Sequence, residues 1–260
     1  MTLAHEFVGQ GRSTAFIHGF TQTSQSWKSL LPFIRTPLHS QLIDAPGHGL
    51  SVDGTRSLWE TGSDIIQTMQ PGILVGYSMG ARMSLHAALL DPTRIEGLVL
   101  ISGTAGIQDK DARELRLQED NTLAKHICEV GVATFLSEWL QKPMFNNLSA
   151  SESDLADRMR NTAEGLSNSL RYAGTGTQNP LWQRLNELHM PVLLIAGALD
   201  TKFVDIAQEM HGKISTSTLS VIADAGHSVH LEKPEIVARE IDNWLSQAQK
   251  DTDRKHNAKK

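Results

Sequence analysis

A serine, an aspartate and a histidine stand at three distant places in this chain, each just beyond an apolar run. Ser78 is the centre of Gly76-Tyr77-Ser78-Met79-Gly80, which follows Ile73-Leu74-Val75 and precedes the helix-like run Ala81 to Leu90. A strand entering a helix through Gly-x-Ser-x-Gly must turn sharply and hold the serine hydroxyl out at the sheet's carboxyl edge; a side chain at either glycine would meet the neighbouring strand or helix. Asp200 follows the run Val192 to Ala196 through Gly197-Ala198-Leu199, and His227 follows Leu219 to Ile222 through Ala223-Asp224-Ala225-Gly226. The order serine, aspartate, histidine is the one expected of such an elbow. His227 would accept the serine proton through one ring nitrogen while Asp200 accepts a hydrogen bond from the other. Singly, an aspartate after a strand is commonly a turn or a cap and a histidine commonly structural. Together, in order, at three strand ends, they point to an activated serine.

Further parts fit around that core. His18-Gly19-Phe20 follows Thr14-Ala15-Phe16-Ile17, so the amides of Phe20 and Met79 could point together at a developing oxyanion. Asp44 to Gly49 reads as a structural loop, with no catalytic role for His48. Arg82, four residues after Ser78, should project from the first turn of the following helix near the mouth of a pocket. A cation there opposes the helix dipole by about 0.3–1 kcal/mol, a cost that an anionic ligand would offset. Arg113, Arg116, Arg158 and Arg160 add cations from the middle of the chain, a set suited to a ligand with several carboxylates.

The elements that must position these residues alternate short apolar runs with longer helical patterns. The fold class is α/β, a mostly parallel sheet with helices on both faces. Strands are expected at residues 14–17, 41–43, 73–75, 97–102, 192–196 and 218–222. Ligands of such sheets lie beyond the strands' carboxyl ends, where the residues above would converge. Between residues 106 and 180 the strand pattern gives way to amphipathic helices, expected at 109–129, 132–141 and 151–172. This all-helical insertion would sit over the strand ends as a lid, with the core formed by 1–105 and 181–246. Residues 247–260 are polar and lysine-rich and read as a frayed tail.

Composition narrows the function. A chain of 260 residues can bury a core without disulfides, and its single cysteine, Cys128, cannot form an internal one. With no basic-then-apolar leader pattern at the N-terminus, a reducing, cytoplasmic setting is expected. No run approaches the roughly 18 apolar residues that read as a membrane-spanning helix. A net charge of −5 argues against general nucleic-acid binding. No spaced His/Cys/carboxylate cluster or phosphate-cradling glycine loop calls for a metal or an organic cofactor.

From about Thr14 to Leu245 the chain resembles the α/β-hydrolase superfamily, on His18-Gly19-Phe20, Asp44 to Gly49, Gly76 to Gly80, Gly197 to Asp200 and Ala225-Gly226-His227. The resemblance implies the α/β-hydrolase fold with a helical lid, and leaves the substrate open. It more closely resembles the 2-succinyl-6-hydroxy-2,4-cyclohexadiene-1-carboxylate synthases of menaquinone biosynthesis. That likeness rests on Gly76 to Arg82, Trp139 to Phe145, Ser169 to Gln178 with Gly174-Thr175-Gly176, Leu181-Trp182, and Asp200 to Phe203. Two positions depart from it: Ala81 stands where a second glycine often follows the elbow, and Leu140 where some members carry tyrosine.

The similarity implies a lyase that removes a proton from a polycarboxylate and eliminates pyruvate. Arg82, Arg116 and Arg160 would bind carboxylates, Tyr77 and Trp139 would line the pocket, and Ser78, His227 and Asp200 would act as a base. The same residues would also serve a serine hydrolase of esters or C–C bonds, or a ligand receptor on the same fold.

Overall fold

The computed structural model describes residues 1–149 and 151–257. Its sheet has seven strands: β1 (His5–Val8), β2 (Arg12–Ile17), β3 (Leu38–Ile43), β4 (Gly72–Tyr77), β5 (Ile95–Ile101), β6 (Val192–Gly197) and β7 (Ser217–Ile222). Their spatial order is β1-β3-β2-β4-β5-β6-β7, antiparallel between β1 and β3 and parallel elsewhere. The six expected strands are present, each within a few residues of its predicted bounds. β1 was not anticipated, because a short edge strand with only one of its four residues even half-buried carries no apolar run.

The helices are α1 (Leu58–Thr68), α2 (Met79–Leu90), α3 (Lys110–Trp139), α4 (Glu152–Arg158), α5 (Ala163–Ala173), α6 (Thr201–Lys213), α7 (Val229–Glu232) and α8 (Pro234–Asn257). One apolar cluster packs α1, α2 and α6 against the sheet through Ile65, Met83, Leu85 and Met210, and a second seats Val237, Ile241 and Trp244 of α8 on the other face. Helices therefore cover both faces of the sheet. The expected tail is corrected in part: with neither glycine nor proline after Pro234, the helix runs on to Asn257. Residues 258–260 of that expected tail lie outside the described residues.

The insertion leaves the sheet after β5 and returns before β6. Its ends are tied where Leu181 donates its amide to Ala105 O at 2.7 Å and Trp182 Nε1 donates to Gly106 O at 2.7 Å. Gly131, at φ 77°, breaks α3 between the two helices expected at 109–129 and 132–141, whereas the single helix expected over 151–172 is two helices. Thr162 starts α5 by accepting the Gly165 amide, so the chain turns at residues 159–162. A third apolar cluster of Ala124, Ile127, Phe135, Leu166 and Leu170 holds α3 against α5. No helix among the described residues is long and apolar enough to cross a membrane.

Four non-glycine residues among those described have positive φ: Thr21, Ser78, Ser102 and Asp224. They follow β2, β4, β5 and β7 respectively, all on the carboxyl edge of the sheet.

Candidate active site

Ser78 bridges β4 and α2 with φ 50° and ψ −106°, outside the regions that L-residues favour. The surroundings impose this shape. A Cβ on Gly76 would lie 2.5 Å from the Gly80 carbonyl oxygen, and one on Gly80 would lie 2.2 Å from that of Ile17, so the turn closes only with glycine at both places. Ala81, where a glycine often follows the elbow, packs without strain: it is buried, and its methyl instead fills the space beside Gly103.

Ser78 Oγ lies 2.9 Å from His227 Nε2, and His227 Nδ1 lies 2.7 Å from Asp200 Oδ2. A carboxylate only accepts, so Nδ1 carries the ring hydrogen of the neutral imidazole and Nε2 is the acceptor facing the serine. His227 is buried, its ring meets the edge of Phe203 at 4.5 Å, and its carbonyl accepts from Ser102 Oγ at 2.9 Å. β4, β5, β6 and the loop after β7 thus each fix one part of the relay.

The loop after β2 is equally constrained. His18 Nε2 accepts the Ala45 amide at 3.0 Å and its Nδ1 donates to Gly19 O at 2.8 Å, while the Gly19 amide donates to Gln22 Oε1 at 2.9 Å. Burial lowers the pKa of His18 and keeps its ring neutral for this bridging role. The Phe20 amide takes part in no hydrogen bond of this loop, and the Met79 amide, first in α2, has no partner within its helix. His48 is buried, its pKa pushed down to about 3 by desolvation, and it packs edge-on to Phe20.

A cavity of about 1140 Å³ lies over these groups, between the strand ends and the α3–α5 insertion. Ser78, Met79, Asp200 and His227 border it, as do Arg82, Arg116 and Trp139. Arg82 does not project at the mouth as expected. It is buried in the wall, where Nη1 donates to the carbonyls of Ala173 and Gly174 at 2.9 and 3.3 Å. Burial pushes its pKa down to about 10, with the Asp120 charge opposing that shift and Arg116 adding to it. Asp120, itself buried, accepts from Arg116 Nε at 2.8 Å and from the Gly176 amide at 2.9 Å. The Gly174-Thr175-Gly176 turn therefore has a structural reason: a Cβ on Gly176 would sit 2.3 Å from Leu117 Cα.

A second, smaller chamber of about 20 Å³ adjoins Ser78 and His227. Tyr77 borders it rather than the large cavity; the phenol is buried, bonded to Ser228 Oγ at 2.9 Å, and raised in pKa by desolvation. Here the expected arginine set needs correcting. Arg160 lines neither cavity: it is substantially exposed and reaches Asp157 and Thr23. Arg158 borders the chamber instead, fully buried and held by Asp154 at 2.9 Å. The pair Asp154 and Arg158, one helical turn apart at the end of α4, is a signal that the sequence carried. The chamber's remaining polar wall is Gln22, which sequence reasoning missed.

A relay of serine, histidine and carboxylate at the strand ends of a mostly parallel sheet, under a helical insertion, defines a class. The chain belongs to the alpha/beta hydrolase family, whose sequence profile it matches over residues 15–240. A relative from Bacillus subtilis (strain 168) is 34% identical over 257 residues, covering 94% of each chain. The 2-succinyl-6-hydroxy-2,4-cyclohexadiene-1-carboxylate synthase of Serratia proteamaculans (strain 568) is 33% identical over 257 residues, 94% of this chain and 98% of that one. Among solved structures, MenH from S. aureus superposes with a TM-score of 0.86 at 28% identity, over 96% of this chain and all of that one.

Proposed function

We propose that this chain is a carbon–oxygen lyase of menaquinone biosynthesis. It converts 2-succinyl-5-enolpyruvyl-6-hydroxy-3-cyclohexene-1-carboxylate into 2-succinyl-6-hydroxy-2,4-cyclohexadiene-1-carboxylate and pyruvate. Ser78, backed by His227 and Asp200, removes the proton from the ring carbon next to the succinyl carbonyl. The electron pair moves onto the carbonyl oxygen, which the Phe20 and Met79 amides receive. It then returns through the ring alkene and expels the enolpyruvyl oxygen; the proton ends on the methyl carbon of pyruvate. Neither a covalent intermediate nor an added water is needed. Arg82 and Arg116 hold carboxylates in the large cavity, Arg158 takes the place expected of Arg160, and the segment 106–180 acts as the lid.

One observation carries this reading: the hydrogen-bonded relay borders the same cavity as Arg82 and Arg116, cations of no use to a neutral ester. The sequence likeness to the Serratia synthase supports the particular substrate. The test follows pyruvate release and diene absorbance with the enolpyruvyl precursor, beside hydrolysis of a short-chain ester. Rapid pyruvate release with slow ester cleavage is expected. Fast ester cleavage without pyruvate would make the protein a hydrolase.

A further inference from the structure

Gln22 is buried, and its amide is committed at one end only. Oε1 accepts the Gly19 amide at 2.9 Å, which fixes the plane of the group, while Nε2 has no protein partner. Two other buried donors share this property, Nη2 of Arg158 and Nε1 of Trp139. All three residues border the small chamber beside Ser78, whose other walls include Phe20, Met144 and Phe145. Buried donors are ordinarily paired, and three unpaired ones around one small space define a place for a group that only accepts. A guanidinium edge with two flanking N–H groups matches a carboxylate.

We infer that this chamber receives the terminal carboxylate of the substrate's succinyl arm, and that Gln22 is both a donor to it and the brace of the turn that carries the Phe20 amide. The inference rests on the lyase function proposed above. Its geometry follows from the substrate. The succinyl carbonyl oxygen belongs at the Phe20 and Met79 amides, and the arm's carboxylate lies two methylenes beyond that carbonyl, on the side where Phe20 forms part of the chamber wall. A space of about 20 Å³ admits the head of a carboxylate but not the ring. The enolpyruvyl group must depart as pyruvate, so it belongs in the large cavity. Gln22 thereby links seating of the arm to the position of the amide that receives the oxyanion.

The probe is 4-oxopentanoate, which reproduces the arm's ketone, methylenes and carboxylate; its methyl ester is the neutral control. In the ¹⁵N-labelled protein the indole N–H signal of Trp139, assigned through Trp139→Phe, reports occupancy without turnover. We expect 4-oxopentanoate to move that signal and the ester to leave it in place. Gln22→Met should raise the concentration needed at least tenfold. Gln22→Glu keeps an acceptor for Gly19 but replaces the donor with a negative charge, so it should abolish the shift while the remaining amide signals keep their dispersion; a purely structural Gln22 would tolerate it. Arg160→Ala should titrate like the wild type. An unmoved indole signal, equal shifts from acid and ester, or wild-type titration of Gln22→Glu would each overturn the inference. Pyruvate release is scored separately: its absence alongside a Gln22-dependent shift removes the lyase and leaves the carboxylate chamber, whereas turnover without a shift removes the chamber alone.

Discussion

Asp120→Asn tests how the cationic wall of the large cavity is held. The side chain is only 2% exposed and serves two donors, Arg116 Nε on Oδ1 and the Gly176 amide on Oδ2. Asparagine is nearly isosteric, so no cavity opens, but it offers one acceptor where the carboxylate offers two. Whichever way the amide turns, an N–H faces an N–H. The cheaper orientation keeps the buried Gly176 bond and gives up Arg116, whose side chain is 34% exposed and whose pairing is accordingly worth about 0.5–1 kcal/mol. The larger loss falls on Arg82, a buried cation that Asp120 helps to keep charged. Leaving it without a nearby anion brings the total to about 2–4 kcal/mol. For a chain of this size that lowers the melting temperature by roughly 5–15 °C. Urea unfolding followed by tryptophan fluorescence measures it directly. Arg116→Met should cost about 1 kcal/mol in the wild type and nothing in Asp120→Asn, a coupling that a double-mutant cycle resolves. A loss below about 0.5 kcal/mol for Asp120→Asn, or simple additivity with Arg116→Met, would refute this account of the wall.

Asp200→Asn should leave unfolding unchanged and lower kcat by about 10³–10⁴-fold, since the amide can present an N–H to His227 Nδ1 and favour the wrong tautomer; steady-state pyruvate release measures this. Arg158→Met should raise KM for the enolpyruvyl precursor at least tenfold, whereas Arg160→Ala, on an exposed side chain, should change it less than about threefold, or about 0.7 kcal/mol. Acid should destabilise the fold through buried histidines. Desolvation pushes His48 and His230 down to about 3 and His86 to about 4, below the unfolded value. The unfolded chain therefore binds more protons, and stability that is full above pH ~6.5 falls as pH drops, by about 1.4 kcal/mol per unit for each ring until its folded pKa is reached. His230→Phe, replacing a ring with no hydrogen-bond partner at either nitrogen, should remove one such share from the slope of urea stability between pH 6 and about 4.5.

What the sequence disclosed follows from how local each feature is. Ser78, Asp200 and His227 were legible because each closely follows a strand and their order along the chain matches the nucleophile elbow. Their meeting is a property of the sheet, and sheet edges can be found from apolar runs. β1 was hidden because a half-wet edge strand has no such run. Arg158 and Arg160 differ by two positions, which on a helix point to nearly opposite sides; choosing between them needed the end of α4, set by the Thr162 cap of the next helix. Gln22 gave no sign at all. A polar residue in a turn reads as solvated until tertiary contacts bury it, and only the Gly19 amide, Arg158 and Trp139 together make it a directed donor.

Thr21, Ser78, Ser102 and Asp224 place the fold's unfavourable backbone conformations along one rim of the sheet, the rim that borders the reacting groups. Each costs on the order of 1 kcal/mol that an ordinary turn would not. For protein engineering, this rim is where glycine or asparagine would most readily increase thermal tolerance, and also where such a gain would loosen the serine, the histidine loop or the oxyanion turn. Selection for heat resistance alone should therefore relax this rim early, and the variants it returns should be stable and slow.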